Sequence, residues 1–467
     1  MDYDVLILGG GIIGCSVAYE LSKYNLNIAL IEKDYDVVDE TSQTNTSVIY
    51  DGFESGDDST ALLEKEGSEI IEEACKKFNV EMNKVGALRI ATTIKEVERI
   101  KEIFEMANRR GIHNTKLIDG EEAKKIDKGL KDIDVKMALY SENIFSINPY
   151  DLTLAYGEVA FSNGVKFRFN ETVQKIEKIT KGFKVTTNKN RFTCKIVVNT
   201  IINDLNIVVD NNPLDSNLNQ EKEKMTYLLV NEMLEDKFDK VIIKKLDDKK
   251  SIMSIPGVCG RTIISIRNCD SNNKDEILSY ARNIYPKIKL ENLINIFTQE
   301  NNETMVIDYR KKDIGYIRVT GNNYSKVTLA PAVSKIVTEA ILSNVKANLN
   351  KNYIDKRREI YVFRNMTNEE RNELIKVDKR YGNIICLCNQ ITEGEIIDCI
   401  RRPLGARTLD GVKKRIGTGL GSCYGSYCTA KIIKILAREM DKKPDEITKD
   451  SEGSRIWISR IKEFETV

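Results

Sequence analysis

Two sets of residues in this 467-residue chain have the types and spacing to do chemistry. Cys386-Leu387-Cys388 and Cys423-Tyr424-Gly425-Ser426-Tyr427-Cys428 form a CxC and a CxxxxC pair, with Cys423 35 residues after Cys388. Four thiols in two local pairs meet the demand of a tetrahedral or two-centre thiolate site, so zinc and a 2Fe-2S cluster both fit. Five of the ten cysteines fall between Cys386 and Cys428. In a reducing compartment such clustering points to metal rather than disulfides. Cys15, Cys75, Cys194, Cys259 and Cys269 are scattered and are expected to be small buried hydrophobes, and Cys399 to pack between the pairs.

The second set is Gly9, Gly11 and Gly14 in GxGxxG spacing, followed by Glu32. Gly9 permits a tight turn, Gly11 lets the backbone approach a pyrophosphate, and Gly14 lets helix and strand pack closely. A carboxylate at Glu32 can accept the ribose hydroxyls of an adenosine and would repel a 2'-phosphate, which selects NAD or FAD over NADP.

The elements that must position these residues are legible on either side. Val5 to Leu8 is an apolar strand, the stretch through Ala18 and Leu21 is amphipathic, and Ile28 to Ile31 is a second strand, which together make a βαβ opening. From about 60 to 130 the pattern is helical and charged. Strands are expected at Val165 to Phe169, Phe183 to Thr187, Ile196 to Asn199, Tyr227 to Val230, Ile252 to Ile255, Thr262 to Ile266 and Tyr316 to Val319, with a polar surface loop over 205–225. Ala330 to Leu342 is apolar at helical spacing. Thr367 to Glu370 and Thr392 to Glu395 each read as a capping box opening a helix, and Ile432, Ile433, Leu436 and Met440 form the stripe of a helix after Cys428.

Composition bounds the rest. Lys+Arg 72 against Asp+Glu 71 leaves a formal net charge of +1, so no whole-chain field recruits nucleic acid or an acidic membrane. No run of 18 apolar residues is present, no transmembrane segment is expected, and the N-terminus enters a strand without a charged leader, so the expected location is cytoplasmic. Arg401, Arg402, Arg407, Lys413, Lys414 and Arg415 read as a solvated face, with the alternative that they offset a cluster's charge or guide an acidic partner. His113 is the only histidine and is expected in an exposed helix-to-strand loop, where it offers no base.

The glycine loop, Glu32-Lys33-Asp34 and the following Thr41-Ser42 resemble the glycine-oxidase and glycerol-3-phosphate dehydrogenase group of FAD proteins. The resemblance implies FAD, with Thr41 and Ser42 near its phosphates. The cysteine pairs, with Gly405-Ala406-Arg407-Thr408 and Leu409 to Lys413, resemble the bacterioferritin-associated-ferredoxin-like 2Fe-2S domain, which implies a cluster on Cys386, Cys388, Cys423 and Cys428.

The expected fold class is α/β: a Rossmann-type FAD-binding domain with a β-rich substrate domain, plus a small helical 2Fe-2S domain. The expected boundaries are 1–345 for the flavoprotein region (FAD-binding segments about 1–60, 150–210 and 305–345), 346–380 for a connector, 381–445 for the cluster domain and 446–467 for a tail. The resemblance implies a dehydrogenase that moves electrons from a small polar substrate, glycerol 3-phosphate-like or an amino or hydroxy acid, through flavin to the cluster. It also admits a second flavoprotein or electron-acceptor subunit as partner. Ser47, Tyr50, Ile202, Cys259 and Lys326 depart from the family pattern, which has glycine at Ser47 and Lys326, a small-small-Gly turn at Thr200 to Ile202, and histidine at Tyr50 and Cys259. They lie on the side expected to face ring and substrate. Those substitutions admit the alternative of a noncatalytic electron-transfer or scaffolding subunit.

Overall fold

Strand Tyr3–Leu8 is buried at all but one position because it lies inside a parallel sheet, with Ile28–Ile31 on one side and Arg191–Asn199 on the other. Lys166–Arg168 extends the sheet beyond Ile28–Ile31, and Tyr316–Thr320 runs parallel to the last residues of Arg191–Asn199. The strand Arg191–Asn199 serves two partners. Its first half alternates exposed and buried residues and pairs antiparallel with Gly182–Thr187, while its last four residues are all buried in the parallel core.

The computed structural model describes residues 1–38, 47–201, 208–209, 212–213, 222–231, 234, 236–247, 249–257, 262–269, 273–302, 305–309 and 312–458. Thr41, Ser42, Ile202 and Cys259, and most of 205–225, lie outside the described residues.

Helices α1 (Ile12–Ser22), α2 (Asp58–Phe78), α3 (Ile94–Arg109), α4 (Gly120–Ile126), α5 (Pro149–Ser162), α6 (Lys274–Ala281) and α7 (Lys326–Leu342) accompany the two sheets. Helix α1 is buried at all but one residue, since it is sandwiched between α5 and α7; the Ser16 hydroxyl donates to that of Ser334 at 3.0 Å. Asp57 caps α2, whose stripe of Ala61, Gly67, Ile71, Cys75 and Phe78 faces the core, and a Cβ at Gly67 would overlap the Thr328 carbonyl oxygen. That overlap shows how closely α2 crosses α7.

The second sheet runs in the order Leu293–Asn302, Lys222–Val230, Thr262–Arg267, Ser251–Pro256, Val241–Lys245, Ala87–Ala91, Met137–Ser141, Thr115–Asp119. Helices α4 and α6 cover one face through Ala123, Ile277 and Leu278, and α3 covers the other through Ile100 and Ile103. Region 60–130 is therefore not helical throughout. Ala87–Ala91 and Thr115–Asp119 are strands of five residues, too short for either period to declare itself, and their pairing with Met137–Ser141 decides the outcome.

Beyond α7, both expected capping boxes form, at Thr367 with Glu370 opening α8 (Asn368–Val377) and at Thr392 with Glu395 opening α9 (Glu393–Arg401). Helices α10 (Leu409–Ile416) and α11 (Thr429–Glu439) complete a small helical unit with its own apolar core of Ile396, Ile400, Val412, Ile432 and Leu436. Among the described residues no helix is long and apolar enough to cross a membrane.

Candidate functional site

At the carboxyl edge of the parallel sheet, Gly9 takes φ +102°, a conformation that suits glycine, and its N–H donates to the Ile31 carbonyl at 2.9 Å. A Cβ at Gly14 would overlap the Gly9 carbonyl oxygen, whereas one at Gly11 would meet nothing within 4 Å. Gly11 is the N-cap of α1 and offers no side chain to its first N–H groups. Those donors and the helix dipole therefore face open space, which suits an anion. Glu32 sits beneath. Its Oε2 accepts the Gly10 N–H at 2.5 Å and its Oε1 the Asp34 N–H at 3.0 Å, while burial pushes its carboxyl above the usual range. This end fits the ADP half of FAD.

Helix α7 also starts at the carboxyl edge, after strand Tyr316–Thr320, and its N-cap Ser325 makes no side-chain cap. Two helices without a side-chain N-cap thus start at the carboxyl edge of this sheet. At the second of them the chain has filled space that glycine would leave free. Lys326 is buried, its ammonium makes no ion pair among the described residues, and burial pulls its pKa down to about 8. Tyr50 is buried edge-on to Tyr324 at 5.1 Å between ring centroids, its N–H donates to Thr328 Oγ1 at 3.2 Å, and its hydroxyl lies 3.8 Å from Met253 Sδ. Ser47 is accommodated in the glycine-like conformation itself, at φ 64°.

Below Tyr324 lies a group that sequence reasoning missed. Glu64, on the apolar stripe of α2, is fully buried, and among the described residues neither carboxylate oxygen has a hydrogen-bond partner of good geometry, although Ser325, Tyr324 and Ser55 surround it. Burial raises its pKa to about 7. Asp51 is buried nearby and accepts the Ser141 hydroxyl at 2.5 Å. The available signal was a carboxylate standing in register with Ala61, Gly67 and Ile71. His113 is exposed, as expected.

The four cysteines come together as two pairs. Cys386 follows strand Ile384–Cys386 and its thiol meets that of Cys428, the N-cap of α11, while the Cys388 thiol bonds to Cys423. Burial and the neighbouring Cys386 push the Cys428 thiol up to about 11. Cys423 is lowered by the Cys388 thiol and by the backbone N–H groups of Gly425, Tyr427 and Ser426, a nest of donors aimed at one sulfur. Among the described residues no three His, Cys, Asp or Glu side chains converge so as to hold one metal ion. A lone zinc needs all four sulfurs about 2.3 Å from a single point. Two separate pairs with N–H donors on sulfur suit a two-iron cluster, in which each iron takes two thiolates. Cys399 is buried packing, as expected.

Two of the basic residues expected on a solvated face are instead buried in the seam between the helical unit and the flavoprotein region. Arg415 pairs with Asp36, at 2.8 Å through Nη2, and donates to the Tyr150 hydroxyl and the Leu404 carbonyl. Arg402 and Arg357 converge on Glu158, with 2.5 Å and 2.6 Å contacts, and Arg357 also reaches Asp151. Composition could not show this, because the partners lie hundreds of residues away.

Residues 4–340 match the family of FAD dependent oxidoreductases, and residues 384–438 match the BFD-like [2Fe-2S] binding domain. The chain is 33% identical over 482 aligned positions to the glycerol 3-phosphate dehydrogenase of Caloramator mitchellensis, covering 98% of this chain and 99% of that one. It is 26% identical to the glycerol 3-phosphate oxidase of Mycoplasma genitalium, over 75% of this chain and 97% of that one. Among solved structures, the FAD-bound, dithionite-reduced L-α-glycerophosphate oxidase of Mycoplasma pneumoniae superposes with a TM-score of 0.67 at 20% identity, over 77% of this chain and 99% of that one. The L-proline dehydrogenase of P. horikoshii gives 0.64 at 21%, over 74% and 94%. With a glycine loop that opens on an anion-ready helix and a C-terminal unit that pairs its thiols, the chain belongs to the FAD dependent oxidoreductases, and its cofactors are FAD and a 2Fe-2S cluster.

Proposed function

We propose that this chain is a dehydrogenase that oxidises a small polar substrate, glycerol 3-phosphate or a related hydroxy or amino acid, and passes the electrons to its own 2Fe-2S cluster. The observation that carries the reading is the end-to-end likeness to a glycerol 3-phosphate dehydrogenase, which spans flavoprotein region and cysteine tail together. FAD, when bound, takes two electrons from a substrate carbon and releases them singly, as a one-electron cluster requires.

In this reading Gly9, Gly11 and Gly14 seat the pyrophosphate against α1, Glu32 accepts from the ribose, and Thr41 and Ser42 approach the phosphates. Cys386, Cys388, Cys423 and Cys428 hold the irons, and the N–H nest at Cys423 supports the thiolate. The division into a flavoprotein region 1–345, a connector 346–380, a cluster domain 381–445 and a tail 446–467 belongs to the same proposal. No catalytic residue is assigned; Tyr50, held edge-on to Tyr324, would at most orient substrate, and the buried Glu64 carboxyl, with a pKa of about 7, would be a proton holder.

The test is an anaerobic visible spectrum of the purified chain with flavin and iron quantified, followed by addition of glycerol 3-phosphate and then of hydroxy and amino acids. Stoichiometric FAD, two irons and bleaching of the flavin by one of these substrates support the dehydrogenase. The burial of Lys326 where the family pattern has glycine favours a second reading, an electron-transfer or scaffolding subunit. Iron without flavin, or flavin that no substrate bleaches and only a partner flavoprotein reduces, would select it.

A further inference from the structure

The loops that carry the cysteines show solvent the kind of side chain a folded protein covers. Leu387 is 67% exposed, Leu420 49%, Tyr424 85% and Tyr427 71%, and Cys388 is itself exposed. Tyr424 is held at φ 49°, a left-handed conformation that a bulky residue keeps only when its surroundings impose it. Four large, mostly apolar side chains within three residues of the thiols are thus exposed, and exposed apolar groups concentrated around one site mark an interaction surface.

Its charge is one-sided. From Gly411 to Arg438 the chain has six basic residues and no acidic one, and Ile384 to Thr392 has no charged residue at all. Arg415 is used by Asp36 and Arg438 by Glu393 and Glu439, and Lys414 lies over the Tyr150 ring. Lys413, Lys431 and Lys434 make no ion pair among the described residues. Lys431 and Lys434 stand exposed on the first turns of the helix that Cys428 opens, and Lys413 lies in the last turn of α10, which leads through Gly417 into the cysteine loop.

We propose that this surface is the docking site for an acidic protein that carries one electron at a time, seated on Leu387, Leu420, Tyr424 and Tyr427 and steered by Lys413, Lys431 and Lys434. The inference rests on the reading that the four cysteines hold a 2Fe-2S cluster. One electron leaves the reduced cluster and reduces the oxidised partner; no bond is made and no proton moves. Arg402 and Arg415 are taken up in the seam with the flavoprotein region, whereas Cys388 is exposed, so Cys388 marks the side open to a partner. A second copy of this chain is a poor occupant, since a two-fold contact would set lysine against lysine. The contact is of the small, transient, salt-sensitive class.

The experiment uses the full chain with iron and flavin quantified. Its reduced form is mixed by stopped flow with oxidised cytochrome b5, an acidic haem protein, and separately with the basic cytochrome c, from low to high salt. The expected result is a second-order rate with cytochrome b5 that falls about tenfold as salt rises, and no such fall with cytochrome c. In the K413E/K431E/K434E variant the two salt dependences exchange. Tyr424→Asn, which keeps the left-handed turn, slows cytochrome b5 several-fold and leaves reaction with ferricyanide unchanged, at unchanged iron content. A salt slope of the opposite sign, or one that survives charge reversal in an iron-loaded chain, overturns the docking proposal alone. A chain that binds no iron overturns the cluster reading and the docking proposal with it.

Discussion

At the glycine end of the parallel sheet, Gly11 leaves the space before α1 open; near the start of α7, Lys326 and Glu64 are buried close to Tyr324, and neither Glu64 oxygen has a hydrogen-bond partner of good geometry among the described residues. Both ends lie at the carboxyl edge of the same sheet, and both begin with an uncapped helix. The difference lies in where the unsatisfied groups are. At Gly9–Gly14 they are backbone donors of the first turn of α1, before which Gly11 leaves open space. At Tyr50–Lys326 they are an ammonium and a carboxyl inside the protein, each displaced toward its neutral form by the cost of burying charge. The glycine end leaves backbone donors for a ligand, and the Tyr50–Lys326 end encloses titratable side chains.

The largest effect is expected at the glycine end. Gly14→Ala places a methyl against the Gly9 carbonyl, so strand and helix must part; a loss of about 3 kcal/mol in urea unfolding and loss of bound flavin are expected. Gly11→Ala is the control that sharpens the comparison. Its methyl meets no protein atom, so stability should hold while flavin retention falls.

At the other end, Lys326→Met should stabilise the flavin-free protein at pH 7 by up to about 3 kcal/mol, the equivalent of a pKa moved from 10.5 to about 8. The native state gives up this proton first, so wild-type stability rises with pH between about 8 and 10.5 and the advantage of the variant fades there. Thermal melts across that window would show it. If the advantage were as large at pH 10.5 as at pH 7, the ammonium would not be the source of the cost.

Glu64→Gln tests the carboxyl with the opposite slope. The native state holds this proton longer, from an ordinary 4.5 up to about 7, so wild-type stability should fall as pH rises through that interval while the variant stays flatter. Equal slopes would break the assignment. The smallest effect is expected for Glu32→Gln, which keeps an acceptor for either the Gly10 or the Asp34 N–H but not both, at a cost of about 1 kcal/mol in stability and about tenfold in flavin affinity.

Much of this was legible in the sequence where the determinants are local. Gly9, Gly11 and Gly14 sit within six positions between a strand and a helix, the Thr367 and Thr392 capping boxes span four residues each, and the cysteine pairs are short motifs. What was not legible depends on distance in the chain. Arg402 and Arg415 look like surface charge until Glu158 and Asp36 are brought to them from 244 and 379 positions away. Ala87–Ala91 and Thr115–Asp119 become strands through pairing with Met137–Ser141. Glu64 was visible only as a misfit on an apolar stripe, and charged helix 58–78 offered many carboxylates to choose from.

Asp36, which grips Arg415, stands four residues after Glu32, on the loop that leaves the second strand of the nucleotide fold. The segment that leaves Glu32 under the glycine loop therefore also anchors the helical unit through Arg415. A substitution at Asp36 would act on the seam while standing four positions from the nucleotide loop's own acceptor.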